Sequence, residues 1–324
     1  MQHPPLETPA TYYPFRSGQY QVNANLKRLG FDFGNAEADQ HIFQVDDQWH
    51  HYISSKKAAR DESESKYICF EQFDNSLQKT LNLWLIDQLC LEHPLLFSKK
   101  TSTQQEIYLT NHITSETLVF NKNALLISPS YYINGFDALA MQVQEDIAIV
   151  KVANNGSDNI CALHLCAPNH WAAEEKIGKS FIETHQPVAN FESIALNAVP
   201  LIKNMLKTGS FVRFAWGIAT DKHLNHHPNP PTSQPSRPDW QGRLFNSQDA
   251  EAYLRIERQV LTGFPNDNAF AFTIRTYFHD IATLSRQDKQ LLAQAISSMN
   301  EKTLIYKGLD LYHRELVAWL KKMA

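Results

Sequence analysis

The sequence feature that most constrains the fold is a β-hairpin near the carboxyl end of the chain. Two strand-like segments, 253–261 and 269–279, flank a turn at 264–268 that contains proline and asparagine. A hairpin of this length requires an antiparallel sheet. Because side chains alternate between the two faces of a strand, each strand groups its polar residues on one face. These sets are Arg255, Glu257 and Gln259 on the first strand, and Thr273, Arg275 and Tyr277 on the second.

Further strands and several helices are predicted around this hairpin. The pattern becomes β-rich from about residue 118. Strands are expected at 139–152, 160–167 and 211–218. Apolar side chains at helical spacing predict helices at 46–60, 76–92, 171–184, 194–206, 286–299 and 311–322. The sum is an α+β fold with an antiparallel sheet and helices before, within and after it. We expect residues 1–117 to form a helical and loop region packed on a core of residues 118–324, in one compact domain.

Composition and charge exclude several classes of protein. With 324 residues, 43% of them hydrophobic, the chain can bury a substantial core. The net charge of −4 gives no electrostatic reason to expect a nucleic-acid partner. No apolar run approaches the ~18–20 residues that cross a bilayer, and the first residues show no signal-peptide pattern. We therefore expect a cytoplasmic protein that binds neither nucleic acid nor membrane.

A cluster of cysteine and histidine between residues 161 and 170 resembles a zinc knuckle at first sight. Zinc needs four side chains that converge on one point. On a strand, His164 and Cys166 face one way while Cys161 faces the other, so the spacing favours buried structural thiols over a shared ion. His170, four residues after Cys166, completes the cluster without changing this balance.

The segment 225–239 contains five prolines and is predicted to be an irregular loop. Three histidines at its edge, His223, His226 and His227, are candidates for adventitious metal binding, but a solvent-exposed loop is the better interpretation. Elsewhere the sequence contains no Gly-x-Gly-x-x-Gly, phosphate-loop or Gly-x-Ser-x-Gly motif. Their absence argues against nucleotide-dependent and serine-hydrolase chemistry.

His185 is the most informative histidine of the sequence. It lies at the end of the predicted helix 171–184 and shares a helical face with Phe181, Gly178 and Ile177. A neutral imidazole beside apolar residues and a glycine can ligate the metal of a flat apolar cofactor, as in a haem. A core histidine with satisfied hydrogen bonds has the same pattern, and spacing alone favours that interpretation over a ligand.

The polar face of the hairpin also has two interpretations. It is either an ordinary solvent-exposed face or the wall of a polar pocket. In the second case Arg275 would balance Glu257, since a buried charge needs a partner, and Tyr277 would donate a hydrogen bond to bound oxygen or substrate. Glu145, in an otherwise apolar segment, presents the same choice. Strand alternation allows Glu257 and Arg275 to share a side.

Several segments, in order along the chain, carry a recognisable signature. They are Val-Gln-Glu-Asp-Ile-Ala-Ile at 143–149, the segment 168–188, Leu-Arg-Ile-Glu-Arg-Gln-Val-Leu at 254–261, and Phe-Thr-Ile-Arg-Thr-Tyr at 272–277. Shorter matches occur at 14–20 and 306–308. Together they resemble the large subunit of haem-dependent oxidative N-demethylases, over about residues 13–308. Several blocks in sequence are far more specific than any single block.

The resemblance implies a PAS-like haem domain that oxidises a small secondary amine, dimethylamine in the type case, to a primary amine and formaldehyde. It implies His185 as the axial ligand of a haem b iron. Gly178, Phe181 and Trp216 are expected near the cofactor. At 214–215 the chain carries Phe-Ala where a polar pair is expected, a difference that bears on which amine is accepted.

The pocket interpretation of the hairpin face adds expectations for the reaction, since a secondary amine is a cation at neutral pH and a carboxylate is its natural counter-charge. Glu257, Arg275 and Tyr277, with Glu145 as a fourth member, are expected on the distal side of the haem. Oxygen activation needs electrons, and the sequence has no nucleotide fingerprint or cysteine cluster for an iron–sulfur centre, so separate flavin and iron–sulfur reductase subunits are implied. Two alternatives stay open: a haem-based sensor of oxygen or redox state, and a protein that kept the fold without haem.

Overall fold

A computed structural model describes residues 5–21, 25–189, 191–207, 209–231, 238–248 and 251–324, without the side chains of residues 193, 194, 238 and 239. These residues form nine α-helices and two antiparallel sheets. The predicted α+β class is therefore confirmed. Within the same ranges, no helix has the length and apolar character needed to cross a membrane.

Eleven strands occur in the described residues. In chain order they are β1 (Lys27–Arg28), β2 (Ile68–Phe70), β3 (Phe97–Thr101), β4 (Ile107–Asn111), β5 (Glu116–Phe120), β6 (Leu126–Ser128), β7 (Asp146–Val152), β8 (Asp158–His164), β9 (Ser210–Ala219), β10 (Tyr253–Phe264) and β11 (Ala269–Asp280). Seven strands form the larger sheet in the order β1-β9-β10-β11-β7-β8-β2, and β3 to β6 form the smaller one. The boundary predicted between residues 117 and 118 falls inside β5, and the division of the chain into two regions stays a prediction.

The helices are α1 (Trp49–Tyr67), α2 (Asn75–Glu92), α3 (Gly135–Ala140), α4 (Ala173–Lys176), α5 (Phe181–His185), α6 (Phe191–Met205), α7 (Arg286–Ser297), α8 (Glu301–Lys307) and α9 (His313–Met323). The predicted bounds are most accurate for α2 and α7, which have the clearest capping residues. The Asp74 carboxylate accepts a hydrogen bond from the Leu77 N–H and caps α2. The Ser285 hydroxyl caps α7 in the same way, through the Asp288 N–H.

The predicted hairpin is confirmed as β10 and β11. Its connection is a short 3₁₀ turn, Pro265–Asp267, followed by Asn268 in the left-handed region at φ 48°. Asparagine tolerates this conformation better than most residues. The turn sets the register, which places Glu257 opposite Thr276 and Arg258 opposite Arg275.

Residues opposite each other in an antiparallel pair point to the same face of the sheet. Strands β9 to β11 therefore have two distinct faces. We call the face that carries Arg213, Glu257 and Thr276 the open face, and the face that carries Val212, Arg275 and Tyr277 the closed face.

The two faces are covered by different parts of the chain. On the closed face, the core includes residues of α1, α2, α7 and α9, together with Tyr12 and Phe15 of the amino-terminal segment. On the open face, the apolar contacts come from Ile202 and Met205 of α6 and from parts of α4 and α5. Only part of the open face carries an apolar core, and the polar residues lie beyond it.

Two predicted elements differ from the structure. The segment predicted as a strand at 139–152 begins as helix α3, because the Asn134 side chain caps it by accepting from the Asp137 N–H; only its second half is β7. The helix predicted at 171–184 is two short helices separated at Gly178. There the Gly178 N–H donates to the Ile160 carbonyl in β8, and the φ of +76° suits glycine.

Candidate functional site

His185 is the last residue of α5, which lies with α6 on the open face of the sheet. Its Nδ1 is 2.7 Å from the Phe181 carbonyl oxygen, which can only accept, so Nδ1 carries the proton. The second ring nitrogen, Nε2, then has a free lone pair and makes no hydrogen bond to any residue in the described ranges. Burial lowers the pKa of His185, with a further contribution from the nearby Arg213. The imidazole is therefore neutral at pH 7 and correctly oriented to act as a ligand.

A groove begins at the residue after His185. It has a volume of about 390 Å³ and runs between the α5–α6 connection and α8. Its walls are mostly apolar, with the side chains of Pro187, Val188, Ala189, Phe191 and Ile305, and with Gln186, Glu192, Lys302 and Tyr306 at the polar positions. A groove of this composition suits a flat, largely apolar ligand.

Glu257 projects from the open face with both carboxylate oxygens held by amides. The Asn169 Nδ2 donates to Oε1 at 3.1 Å, and the Gln259 Nε2 donates to Oε2 at 3.0 Å. The side chain is half-buried, and no cation forms a salt bridge with it among the described residues. It therefore has a fixed position, and the cations that interact with it electrostatically, Arg213, Arg255 and Lys307, make no salt bridge to it among the described residues.

The end of α8 packs beside this carboxylate. The Lys307 ammonium donates to the Trp216 carbonyl at 2.8 Å and lies 5.6 Å from the centres of the Tyr20 and Tyr306 rings. Burial lowers the pKa of Lys307 and raises that of Tyr20 to about 12. Glu257 influences both groups, which joins α8 to the open face electrostatically.

A small polar pocket follows on the same face, where Arg255 is held by the loop after β9. The Arg255 Nη1 donates to the His226 Nδ1 at 2.9 Å, and the His226 Nε2 donates to Asp221 at 3.0 Å. The pocket has room for a single water molecule, about 20 Å³, and His170 stacks on His226 at its edge with ring centres 5.4 Å apart.

The interpretation of the histidine-rich loop edge as solvent-exposed is wrong for two of its three histidines. His226 and His227 are each only 1% exposed, because they bond to Asp221 and Glu174 respectively. His223 is exposed, as expected. The central part of the proline-rich segment, residues 232–237, lies outside the described residues.

The expectation that Glu257 and Arg275 share a face is wrong. Arg275 lies on the closed face, where its Nη2 donates to Asp46 at 2.7 Å and its guanidinium stacks 3.8 Å from the centre of the Tyr52 ring. Tyr277 lies beside it and donates to the Gln44 side-chain oxygen. The register explains the error, since the residue opposite Glu257 is Thr276 rather than Arg275.

Glu145 also belongs to this closed-face network. It is fully buried, its Oε1 accepts from the Gln44 N–H at 2.8 Å, and burial raises the pKa of its carboxyl while Arg275 opposes the rise. The structure thus brings Glu145, Arg275 and Tyr277 together and places them across the sheet from Glu257 and His185.

The three predicted neighbours of the cofactor are placed differently from one another. The Phe181 ring contacts His185, with centres 4.1 Å apart. Gly178 does not share a helical face with His185, because the helix is broken there; a Cβ at this position would lie 2.3 Å from the Glu71 carboxylate. Trp216 is buried on the closed face against Phe15 and Tyr20.

Asp146, His164 and Cys166 are the one group in the described residues whose ligand atoms converge, within 4.8 Å of one another. The Asp146 carboxylate already accepts from the N–H groups of Cys166 and Ala167, each at 2.8 Å, and the buried Lys56 lies nearby. The charge of this cluster is thus balanced by the protein itself. Cys161 belongs to a different core cluster from Cys166, as strand alternation predicts.

Sequence reasoning missed Arg213, Asn169 and Tyr306. Arg213 alternates with Val212 on β9 and pairs with Gln259 of β10, so the strand pattern carried a signal for it. Asn169 and Tyr306 reach the site from a loop and a helix that only the tertiary fold brings near.

A comparison with known families gives a match over most of the chain. Residues 35–317 match the model of a family described as haem-dependent oxidative N-demethylase, alpha subunit-like. The match includes His185, the groove, Glu257 and the whole of β9 to β11.

Proposed function

Because the chain belongs to the haem-dependent oxidative N-demethylase, alpha subunit-like family, we propose that it binds haem and oxidatively demethylates a small secondary amine such as dimethylamine. The family supplies the reaction class. The contacts on the open face support the proposed cofactor position and the class of substrate.

The orientation of His185 is the observation that carries this proposal. Haem iron is commonly held by one neutral imidazole whose other nitrogen donates to a carbonyl or carboxylate. His185 has this arrangement, with Nδ1 donating to the Phe181 carbonyl at 2.7 Å and Nε2 free of hydrogen bonds to described residues. The residues around His185 fit a haem: the imidazole is a ligand, the groove that begins at the next residue is mostly apolar, and Arg213 is a cation near the histidine. We propose that His185 is the axial ligand of a haem b and that the groove is its binding site.

Glu257 is proposed to bind the substrate amine. A secondary amine is a cation at neutral pH, and a carboxylate is its natural counter-charge. Neutral amide donors of Asn169 and Gln259 hold Glu257 in place, and no cation donates a hydrogen bond to its carboxylate among the described residues. A half-buried carboxylate attracts a cation more strongly than one in bulk water, because the local dielectric constant is lower.

Haem bound beside His185 would supply the activation of oxygen, with the protein contributing binding, orientation and polarity. The balanced reaction consumes the secondary amine, one oxygen molecule, two electrons and two protons, and yields the primary amine, formaldehyde and water. The sequence contains no nucleotide fingerprint of its own. We therefore propose that separate flavin and iron–sulfur reductase subunits supply the electrons.

A PAS-like core is part of this proposal. Strands β7 to β11 lie side by side in the order β8-β7-β11-β10-β9. The two that come first and last along the chain, β7 and β11, are therefore neighbours at the centre. Helices α4, α5 and α6 are inserted between the second and third of these strands. This order and this place for the helices support the proposal of a PAS-like core.

A His185→Ala variant tests the cofactor assignment. We expect the purified variant to lose stoichiometric haem incorporation or to show the absorbance spectrum of a different ligation state. His279→Ala is a matched control, since His279 is a half-buried histidine at the end of β11. Full haem content and an unchanged spectrum in His185→Ala would refute the assignment.

The sensor alternative is separated by a second measurement. The wild-type protein, supplied with a reductase and dimethylamine, should consume oxygen and release formaldehyde in equal amounts. Haem binding without amine-dependent oxygen consumption would favour the sensor.

A further inference from the structure

Arg213 is a cation without a hydrogen-bonded partner. It lies on β9 and is half-buried, and its Nε is out of contact with solvent and unsatisfied. Its guanidinium donates no hydrogen bond to any residue that the structure describes. Buried donors are normally paired, because an unsatisfied one is costly. The environment of Arg213 is therefore incomplete without an acceptor.

The nearest carboxylate does not complete it. Glu257 is close enough to stabilise the charge of Arg213, but its two oxygens accept from Asn169 and Gln259 instead. Arg213 stands directly opposite Gln259 in the β9–β10 register. Glu257 thus stabilises Arg213 electrostatically but accepts no hydrogen bond from it among the described residues.

The surroundings of Arg213 are rich in positive charge. Lys307 and Arg243 lie within electrostatic reach of each other, and Lys307 also of Arg213. The Arg243 guanidinium makes no hydrogen bond to a described residue either, and its side chain lies against Gly308 at the end of α8. On the open face β9 presents two small residues, Ala215 and Gly217, and the Lys307 side chain lies over Gly217.

We propose that Arg213 binds a carboxylate side chain of the porphyrin, which carries two propionates. This inference rests on the proposed haem-binding function. Arginine presents parallel N–H donors that match a carboxylate in a bidentate pair, and such charge-assisted bonds are the strong ones. Arg213 lies near His185, whose ring it influences, and near Tyr306, which lines the groove. A porphyrin in that groove would bring an anionic substituent to the guanidinium.

The test compares two cofactors in the full-length apoprotein. Iron protoporphyrin IX and its dimethyl ester differ only in the charge of the propionates. Each is titrated into wild type and Arg213→Gln, with absorbance as the readout. We expect Arg213→Gln to weaken binding of the free acid by roughly 10- to 100-fold, the range of one charge-assisted pair, and to leave the ester unaffected.

Arg28→Gln is the matched control. Arg28 lies on β1, which pairs with β9, but it is exposed and stacks on Phe211. The Arg28→Gln substitution removes the same charge and should leave the affinity for both cofactors unchanged. Arg213→Lys keeps the charge without the bidentate geometry, and we expect it to recover only part of the affinity.

Three results would overturn the inference: equal affinity of Arg213→Gln and wild type for the free acid, an equal loss for acid and ester, or an equal loss in Arg28→Gln. Metal-free protoporphyrin IX separates this inference from the ligand assignment, since it needs no axial histidine. If His185 is not the ligand, His185→Ala keeps its spectrum while Arg213→Gln still discriminates acid from ester. A wild type that binds none of the three porphyrins would reject the proposed function and the inference together.

Discussion

The two faces of the central sheet use charged residues in opposite ways. On the closed face, Arg275 has a carboxylate partner in Asp46 and an aromatic partner in Tyr52, and Tyr277 bonds to Gln44. On the open face, Arg213 has no hydrogen-bonded partner among the described residues, and Glu257 is held only by neutral amides.

This difference separates structural from functional polarity. A buried ion pair with its hydrogen bonds complete holds chain segments together and has nothing left to offer a ligand. A charge that is fixed in position without a hydrogen-bonded counter-ion costs stability, and such groups are candidates for binding a ligand. From this comparison we propose structural roles for Arg275, Tyr277 and Glu145, and we keep Glu257, Arg213 and His185 as the proposed site.

The largest expected effect is on the closed face. Arg275→Met keeps the side-chain stem but leaves the Asp46 carboxylate buried and unpaired. We expect the free energy of unfolding to fall by about 3–5 kcal/mol, measured by urea denaturation. Arg213→Met is the matched substitution on the open face, and it should cost less than about 1 kcal/mol because it breaks no pair. Equal losses in the two variants would abolish the distinction between the faces.

A smaller effect is expected on the open face, in binding rather than stability. Glu257→Gln removes the negative charge and keeps the shape of the side chain. Amine affinity, measured from the amine-induced shift of the haem absorbance, should fall about tenfold, with haem content unchanged. Wild-type amine affinity in Glu257→Gln would move the amine site elsewhere.

The smallest expected effect sharpens the comparison at a single hydroxyl. Tyr277→Phe removes the hydrogen bond to Gln44 and leaves the ring in the core. The free energy of unfolding should fall by about 1 kcal/mol, while haem content and amine affinity stay at wild-type values. Loss of amine affinity in this variant would instead place Tyr277 in the site and contradict its closed-face assignment.

Local patterns anticipated much of the architecture. The α2 and α7 helices have apolar stripes and capping residues of their own, and the β10–β11 hairpin has long strands around a proline and asparagine turn. Each of these signals lies within one element. The broken helix at Gly178 has no such local signal, because its cause is a hydrogen bond to Ile160 in β8 and the proximity of Glu71.

The candidate site shows the same limit. His185 and Phe181 are four residues apart, so one turn of helix was enough to pair them, and the pairing is present in the structure. The buried position of His226 depends on Asp221, five residues earlier, and that of His227 on Glu174, which lies in α4. A proline-rich composition gives no indication of such contacts.

By itself, the sequence determined the antiparallel hairpin, the alternation of polar residues along each of its strands, and the family to which the chain belongs. Only the tertiary structure decided which strand faces coincide. A shift of one residue in register moves every side chain of a strand to the opposite face. The turn at Pro265–Asp267 fixed that register, which placed Arg275 with Asp46 and left Glu257 with Asn169 on the side of His185. Charge pairing across a sheet depends on this single alignment, and alternation within one strand does not contain it.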